Sequence, residues 1–440
     1  MAAGPGGLAG STRLERAFRE EWAAVVATLA RRLGDLQAAE DAAAEAFAAA
    51  SVAWARDGVP PNPGGWLTVT AWRKAVDAHR AAGARSTSID PQVLGSVAAD
   101  ALTAPDIAET DMTETLGDDR LGLIFACCHP ALAEDVRVAL TLRFVAGLTT
   151  REIAAAFVVP EATLAQRLVR AKRKIRESGI RFTVPSAPGR LAERLQSVRA
   201  VVYLVFNEGF ASSSGSSLIR DELCDEAIWL GRLLHRLMPG DAESAGLLAL
   251  MLLHASRRAA RLAADGRPVP LAEQDRSAWD SALIAEGTAV LDEALVLRSP
   301  GAYQLQAAIA ALHAAAGSFE ATDWPQIALL YRALARVDPS PVVEVNRAVA
   351  VGMADGPLAG LAVLAPVLAS GALAEYGPLH AAHGFLLEKA GDSERARGAW
   401  KRATETLDNA AVREELLRRY VEPLTERNPG PGVENGDAAP

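Results

Sequence analysis

Four side chains in one short segment have the length and the polar ends needed to read base edges. They are Thr163, Gln166, Arg167 and Arg170. Donors and acceptors of this reach suit the major groove of a duplex. Lys172, Arg173, Lys174 and Arg176 continue the segment as a cationic run, which suits phosphates better than bases. Leu164, Leu168, Ala171 and Ile175 recur at helical spacing on the other side, so the segment reads as a helix from Glu161 with one buried stripe. The residues before it supply a second helix. Thr149 or Thr150 can cap it, Glu152 sits in its first turn, and Ile153, Ala154 and Phe157 form its inner face. Val158-Val159-Pro160 ends it, because a proline cannot donate within a continuing helix. A helix-turn-helix over Thr149–Arg176 is therefore expected. The plainer reading of the cationic run alone is a solvated basic helix packed on another helix.

A second group lies near the N-terminus. After the loop Pro60-Pro61-Asn62-Pro63-Gly64-Gly65 comes WLTVTAWRKAVDAHR, in which Trp66 and Trp72 interleave with Arg73, Lys74 and Arg80. Rings stack on unpaired bases and cations follow a single strand's backbone. The alternative is that both tryptophans belong to a core. Asp77 is expected to pair with Arg73 or Arg80 at helical spacing. Upstream, Ala43, Phe47, Ala50 and Trp54 form one stripe of an amphipathic helix, while Glu40, Asp41 and Glu45 lie on another face. That acidic face is either a partner surface or simply solvated.

The elements that must position these groups are helices. The chain has 440 residues, half of them apolar, with few aromatics and abundant alanine. Helix propensity is high and strand-like alternation is short and rare, so the fold class is all-α. No apolar run approaches the ~20 residues of a spanning helix, and no signal peptide is evident. Three cysteines, Cys127, Cys128 and Cys224, cannot build a disulfide framework. A soluble cytoplasmic protein without a membrane association is expected.

The net charge of −9 hides a pattern. Residues 1–82 are neutral, residues 83–119 carry net −7, residues 120–182 carry net +6 and the remainder carries net −8. A localised basic block marks a polyanion contact better than whole-chain charge does. Residues 1–11 form a Gly/Ala-rich start, and helical modules are expected over 12–82 and 118–182. Between them, residues 83–117 read as an acidic flexible linker. A further helical region spans 190–427, with a tail from Asn428. Two helix pairs in it, around Asp355-Gly356 and Gly391-Asp392, repeat with a 36-residue offset, near the period of tetratricopeptide (TPR) stacking.

The order of these parts resembles the extracytoplasmic-function sigma factors. The resemblance rests on Ala39-Glu40-Asp41 with Glu45-Ala46-Phe47, on Asp119-Arg120-Leu121 with Phe125, and on Ala139-Leu140, Leu148-Thr149 and Glu152-Ile153-Ala154. YLVFNEGF (Tyr203–Phe210) and TDWPQIALLY (Thr322–Tyr331) resemble the subgroup with a long C-terminal TPR-like extension. The resemblance implies two small helical sigma domains, region 2 and a helix-turn-helix region 4, joined by the acidic linker. Core RNA polymerase and promoter DNA are the implied partners. Glu40, Asp41 and Glu45, with Phe47 and Trp54 behind them, would dock on polymerase. Trp66, Trp72, Arg73, Lys74 and Arg80 would melt and hold the −10 element. Thr163, Gln166, Arg167, Arg170, Lys172, Arg173 and Lys174 would contact the −35 element. The linker acids Asp100, Asp106, Glu109, Asp111, Glu114, Asp118 and Asp119 would mimic RNA in the polymerase channel.

Within the extension, Asn207-Glu208-Gly209, Asp221, Asp225, His254, Arg257, Arg258, Asp275, Arg276 and Trp279 are polar residues among apolar runs. They read either as a pocket for a peptide or small-effector ligand or as internal salt bridges between stacked helices. Cys127-Cys128-His129 lacks zinc spacing and reads as core. His380 and His383 are one turn apart, but the histidines are otherwise scattered. No cofactor, metal or catalytic residue is expected. Two rival functions remain open. One is a helix-turn-helix regulator with a helical-repeat sensor domain, which would have no use for residues 35–82. The other is an enzyme that uses the polar residues of the extension.

Overall fold

The computed structural model describes residues 21–83, 119–157, 159–185, 187–211, 219–407 and 409–421. The start of the first module, residues 84–118 with six of the seven named acids, Val158 and the C-terminal tail lie outside the described residues. The described residues are helical, with no strand among them beyond an isolated bridge between Leu262 and Pro268. Two compact units are present, Met1–Leu204 and Val205–Pro440.

The first unit opens with α1, residues 21–33, which buries Trp22, Val25, Val26 and Leu29. Gly34 breaks it in the left-handed region (φ 66°), a conformation that costs a side chain but not glycine. Asp35 then caps α2 (Leu36–Asp57), accepting from the backbone N–H groups of Gln37 and Ala38. The expected stripe of α2 is buried at Ala43, Phe47, Ala50 and Trp54. Phe47 packs 5.8 Å from Trp22, which fastens α2 to α1. α3 (Pro63–Gly83) starts on a proline in its first turn and packs along α2.

α4, residues 119–127, is almost wholly buried and ends at Cys127 and Cys128. α5 (Glu134–Leu140) continues as a π-helical turn, Thr141–Val145. The two expected helices of the DNA-reading segment follow. α6 (Thr150–Ala156) carries a complete capping box between Thr149 and Glu152. Pro160 precedes α7 (Glu161–Glu177), whose buried residues are Leu164, Leu168, Ala171 and Ile175, the predicted stripe. α8 (Pro188–Phe210) contributes Leu195, Val198, Val201 and Val202 to the core. Its Ser197 hydroxyl donates to the Cys128 carbonyl at 2.6 Å.

The second unit is a succession of helices: α9 (Asp221–Leu237), α10 (Ala242–Ala255), α11 (Ser281–Val296), α12 (Ala302–Ala315), α13 (Trp324–Val337), α14 (Pro341–Ala354), α15 (Pro357–Ser370), α16 (Gly377–Lys389), α17 (Ser393–Thr406) and α18 (Ala410–Leu416). Three 3₁₀ turns, Arg258–Arg261, Leu271–Glu273 and Arg276–Ala278, link α10 to α11. The 36-residue offset seen in the sequence corresponds to two helical hairpins, α14–α15 and α16–α17, with left-handed Gly356 and Gly391 at their turns. Small residues let the paired helices close up. A Cβ on Gly384 would lie 2.7 Å from the Trp400 ring.

Candidate nucleic-acid interface

The N-terminal part of α7 presents the predicted reading face outward. Thr163, Gln166 and Arg170 are exposed, and among the described residues Arg167 is held only by a 3.3 Å contact to Asp135 on α5. Arg173 and Lys174 are also exposed, the first 3.6 Å from Glu177. Surface pairs of this kind contribute roughly 0–1 kcal/mol and release readily to a phosphate. The reading face is positioned from beneath by the buried stripe, with Pro160 at the turn and the Thr149–Glu152 box at the start of the preceding α6.

Lys172 is placed differently from its neighbours. Its ammonium donates to Glu40 Oε2 at 2.8 Å, and Arg143 on the π turn donates to Glu40 Oε1 at 2.6 and 2.8 Å. The three side chains are only 11–18% exposed. Arg143 also donates to the Leu148 carbonyl at 3.0 Å and lies over the Trp22 ring, while Lys172 lies over Phe144. Two further ion pairs join the same modules: Arg176 to Asp35 at 2.9 Å and Arg31 to the buried Asp119 at 2.7 Å. Glu40, expected to face polymerase, and Lys172, expected to face DNA, therefore neutralise each other in this conformation. Sequence spacing gave no signal of this, because the partners are 132 positions apart.

The other expected polymerase residues are divided. Asp41 and Glu45 are exposed, with Glu45 3.5 Å from Lys74 and Asp41 accepting from Gln37 at 2.8 Å. Phe47 and Trp54 are buried behind them. Along α3, Arg73, Lys74 and Arg80 are exposed, and Trp66 is half-buried with its ring edge-on to Trp54 at 5.5 Å. Trp72 is only 8% exposed and lies under Arg32. Burial of the Trp72 ring beneath Arg32 leaves no face open for a base to stack on in this conformation. Asp77 forms no ion pair with Arg73 or Arg80 among the described residues, and Lys74 pairs with Glu45 instead. An exposed pair one turn apart contributes only a few tenths of a kcal/mol, too little to order long side chains against a competing partner.

Cys127 and Cys128 are buried, and burial pushes both thiols up, Cys128 to about 11. Cys128 contacts the Thr141 hydroxyl at 3.3 Å. They are packed thiols, as the spacing suggested. In the second unit, Asp275 accepts from Ser277 at its own turn, and most of the other polar residues named from the sequence fall into two sets. Arg258 bridges Asp221 and Asp225 at 3.2 and 2.9 Å, and Glu208 pairs with Arg220 at 2.6 Å. His254, Arg257, Arg276 and Trp279 belong to a different cluster that contains no such pair among the described residues.

Comparison with known proteins agrees with this division. Residues 18–85 match Sigma-70 region 2 and residues 123–175 match Sigma-70, region 4. Residues 194–295 match a family of unknown function, DUF6596. An uncharacterized protein of Rhizobium meliloti (strain 1021) is 43% identical over 406 residues, which cover 90% of this chain and 93% of that protein. No solved structure matches the chain. No described helix is long and apolar enough to cross a membrane. With a region 2 built on α1–α3, a capped helix-turn-helix as region 4 and an all-helical segment after them, the chain belongs to the sigma-70 family of sigma factors.

Proposed function

We propose that this sigma factor binds core RNA polymerase and directs it to a restricted promoter set, in the manner of the extracytoplasmic-function group. The observation that carries the reading is the outward face of α7. Thr163, Gln166, Arg167 and Arg170 are presented on a buried stripe, and Arg173 and Lys174 stand beside them. In this reading residues 12–82 hold polymerase and the −10 element, 83–117 thread the polymerase as an acidic linker, and 118–182 read the −35 element. Asp41 and Glu45 are the accessible polymerase contacts. Trp66, Arg73, Lys74 and Arg80 face the melted strand. A plain helix-turn-helix regulator would need no region 2, which disfavours it.

The Glu40–Lys172–Arg143 cluster gives the proposal a conformational step. Lys172 and Arg176 are engaged with α2 here, so promoter binding in this reading requires region 4 to leave region 2. Glu40 then becomes available to polymerase as Lys172 becomes available to DNA. One exchange of partners thus couples the two events. Residues 190–427 are a TPR-like stack with a peptide or small-effector ligand in this proposal.

Co-elution of the full chain with core polymerase at low and moderate salt tests the reading. A stable complex that is weakened by Asp41→Arg and Glu45→Arg together supports it. Absence of any complex at either salt refutes it.

A further inference from the structure

Several partly buried arginines in the second unit have a carboxylate. Arg232 has Glu286 at 2.7 Å, Arg258 has Asp221 and Asp225, and Arg347 has Glu344 at 2.7 Å. Three neighbouring arginines, Arg257, Arg261 and Arg276, form no ion pair among the described residues. Arg257 and Arg261 both sit over the Phe210 ring, at 5.0 and 3.9 Å. Arg276 lies 4.1 Å from the Trp279 ring centroid and donates to the His313 carbonyl. Its Nε and Nη2 are buried with no acceptor among the described residues, and so is His313 Nδ1. His254 packs 5.3 Å from Phe210, and Arg257 reaches only Gln274, at 3.5 Å.

We propose that Arg257, Arg261 and Arg276, with His254 and His313, form a binding site for a small dianionic oxyanion, a phosphomonoester or a dicarboxylate. Planar guanidinium forks match carboxylate and phosphate oxygens bidentately. Unsatisfied buried donors are costly, and clustered buried cations repel one another, so the cluster is short of acceptors and of negative charge. The titration behaviour agrees. Burial, with Arg261 and Arg276 nearby, pushes Arg257 down to about 9, and burial with Arg257 nearby pushes His254 down to about 3. At neutral pH both histidines are then uncharged. The three arginines carry the charge, with Glu320 offsetting part of that of Arg276. The balance fits two negative charges. The site lies in the segment matched by the family of unknown function and its helical continuation, and it stands whether or not the promoter reading holds.

The test is thermal melting and calorimetry of the full chain with sodium phosphate, and separately sodium succinate, at ionic strength held constant with sodium chloride. A saturable rise in Tm with at least one dianion is expected. Phosphate alone would identify the phosphate source and succinate alone the carboxylate source. Arg276→Met and Arg257→Lys should each weaken binding about tenfold or more, the second while keeping the charge. Arg257→Met should melt at or above the parent without anion, because it removes a buried uncompensated charge. A purely structural arginine predicts the reverse. No saturable shift with either dianion would overturn the proposal. A shift retained in full by Arg276→Met and Arg257→Lys would also overturn it, since excluded salts raise Tm without a site.

Discussion

Glu40 and Lys172 are hydrogen-bonded at 2.8 Å, although one lies on the region 2 helix proposed to dock on polymerase and the other on the helix proposed to read DNA. Arg143 completes the cluster from the π turn, a distortion that recurs at functional sites. Each charge is thereby withheld from its proposed partner. Glu40→Gln removes one charge from the cluster and leaves two half-buried cations without compensation. Stability should fall by about 1–3 kcal/mol, toward the low end for a buried pair because water still reaches it. The affinity of the free protein for duplex DNA should nevertheless rise. Urea denaturation and a DNA-binding titration on the same variant check both signs. Unchanged DNA affinity with lowered stability would mean that the cluster is structural and gates nothing.

Arg167→Ala and Lys174→Ala separate base reading from phosphate contact. Among the described residues Arg167 is tied only to Asp135 at 3.3 Å, on the surface, so it is available to a base edge. Its loss should cost ~1–3 kcal/mol at one promoter position and relax preference there. Lys174→Ala should weaken all sequences alike and reduce the salt slope by about one. Binding measured across a set of single-base promoter variants distinguishes the two.

How much of this was legible in the sequence follows from the range of the interactions. The α6–α7 pair was legible because capping, proline and a four-three-four stripe are local: Thr149, Pro160 and Leu164–Ile175 specify it within 27 positions. The burial of Phe47 and Trp54 was legible for the same reason. The Glu40 cluster was not, because its partners come from separate modules and nothing local marks them. Trp72 was ambiguous because the sequence leaves it on a helix beside cations whether it packs inward or not. The anion cluster was half legible. His254, Arg257 and Arg276 stood out as polar residues among apolar ones. What separates them from Arg258 is that carboxylates converge on one set and not on the other, which is a tertiary fact.

Trp66 and Trp72 should behave oppositely on substitution. Trp72 is buried, so Trp72→Ala should cost ~3–5 kcal/mol in stability. Trp66 is half-buried, so Trp66→Ala should cost less stability but impair promoter melting. Denaturant midpoints and permanganate reactivity of promoter thymines, measured on both variants, check the assignment. Normal melting by Trp66→Ala would remove Trp66 from the −10 surface.

Acid should destabilise the second unit through its histidines. Burial lowers His254 to about 3 and His313 to about 4 in the folded chain, against an ordinary value of 6.5. The unfolded chain therefore binds more protons between those values. Stability is full above pH 6.5 and falls as pH drops from there toward 4, by an amount on the order of several kcal/mol. His254→Gln removes one titrating group and should flatten the fall between pH 7 and 5, measured as the urea midpoint at each pH. An identical slope in parent and variant would show that His254 is not the group responsible.

The most direct measurement of the central claim is transcription in vitro from a library of genomic fragments, using core polymerase with and without the purified full chain. A defined subset of start sites should appear only when the protein is added. Arg167→Ala should redistribute those sites, and Asp41→Arg with Glu45→Arg should abolish them. Identical transcripts with and without the protein, at low and moderate salt and with folded protein verified, would contradict promoter-directed initiation by this chain.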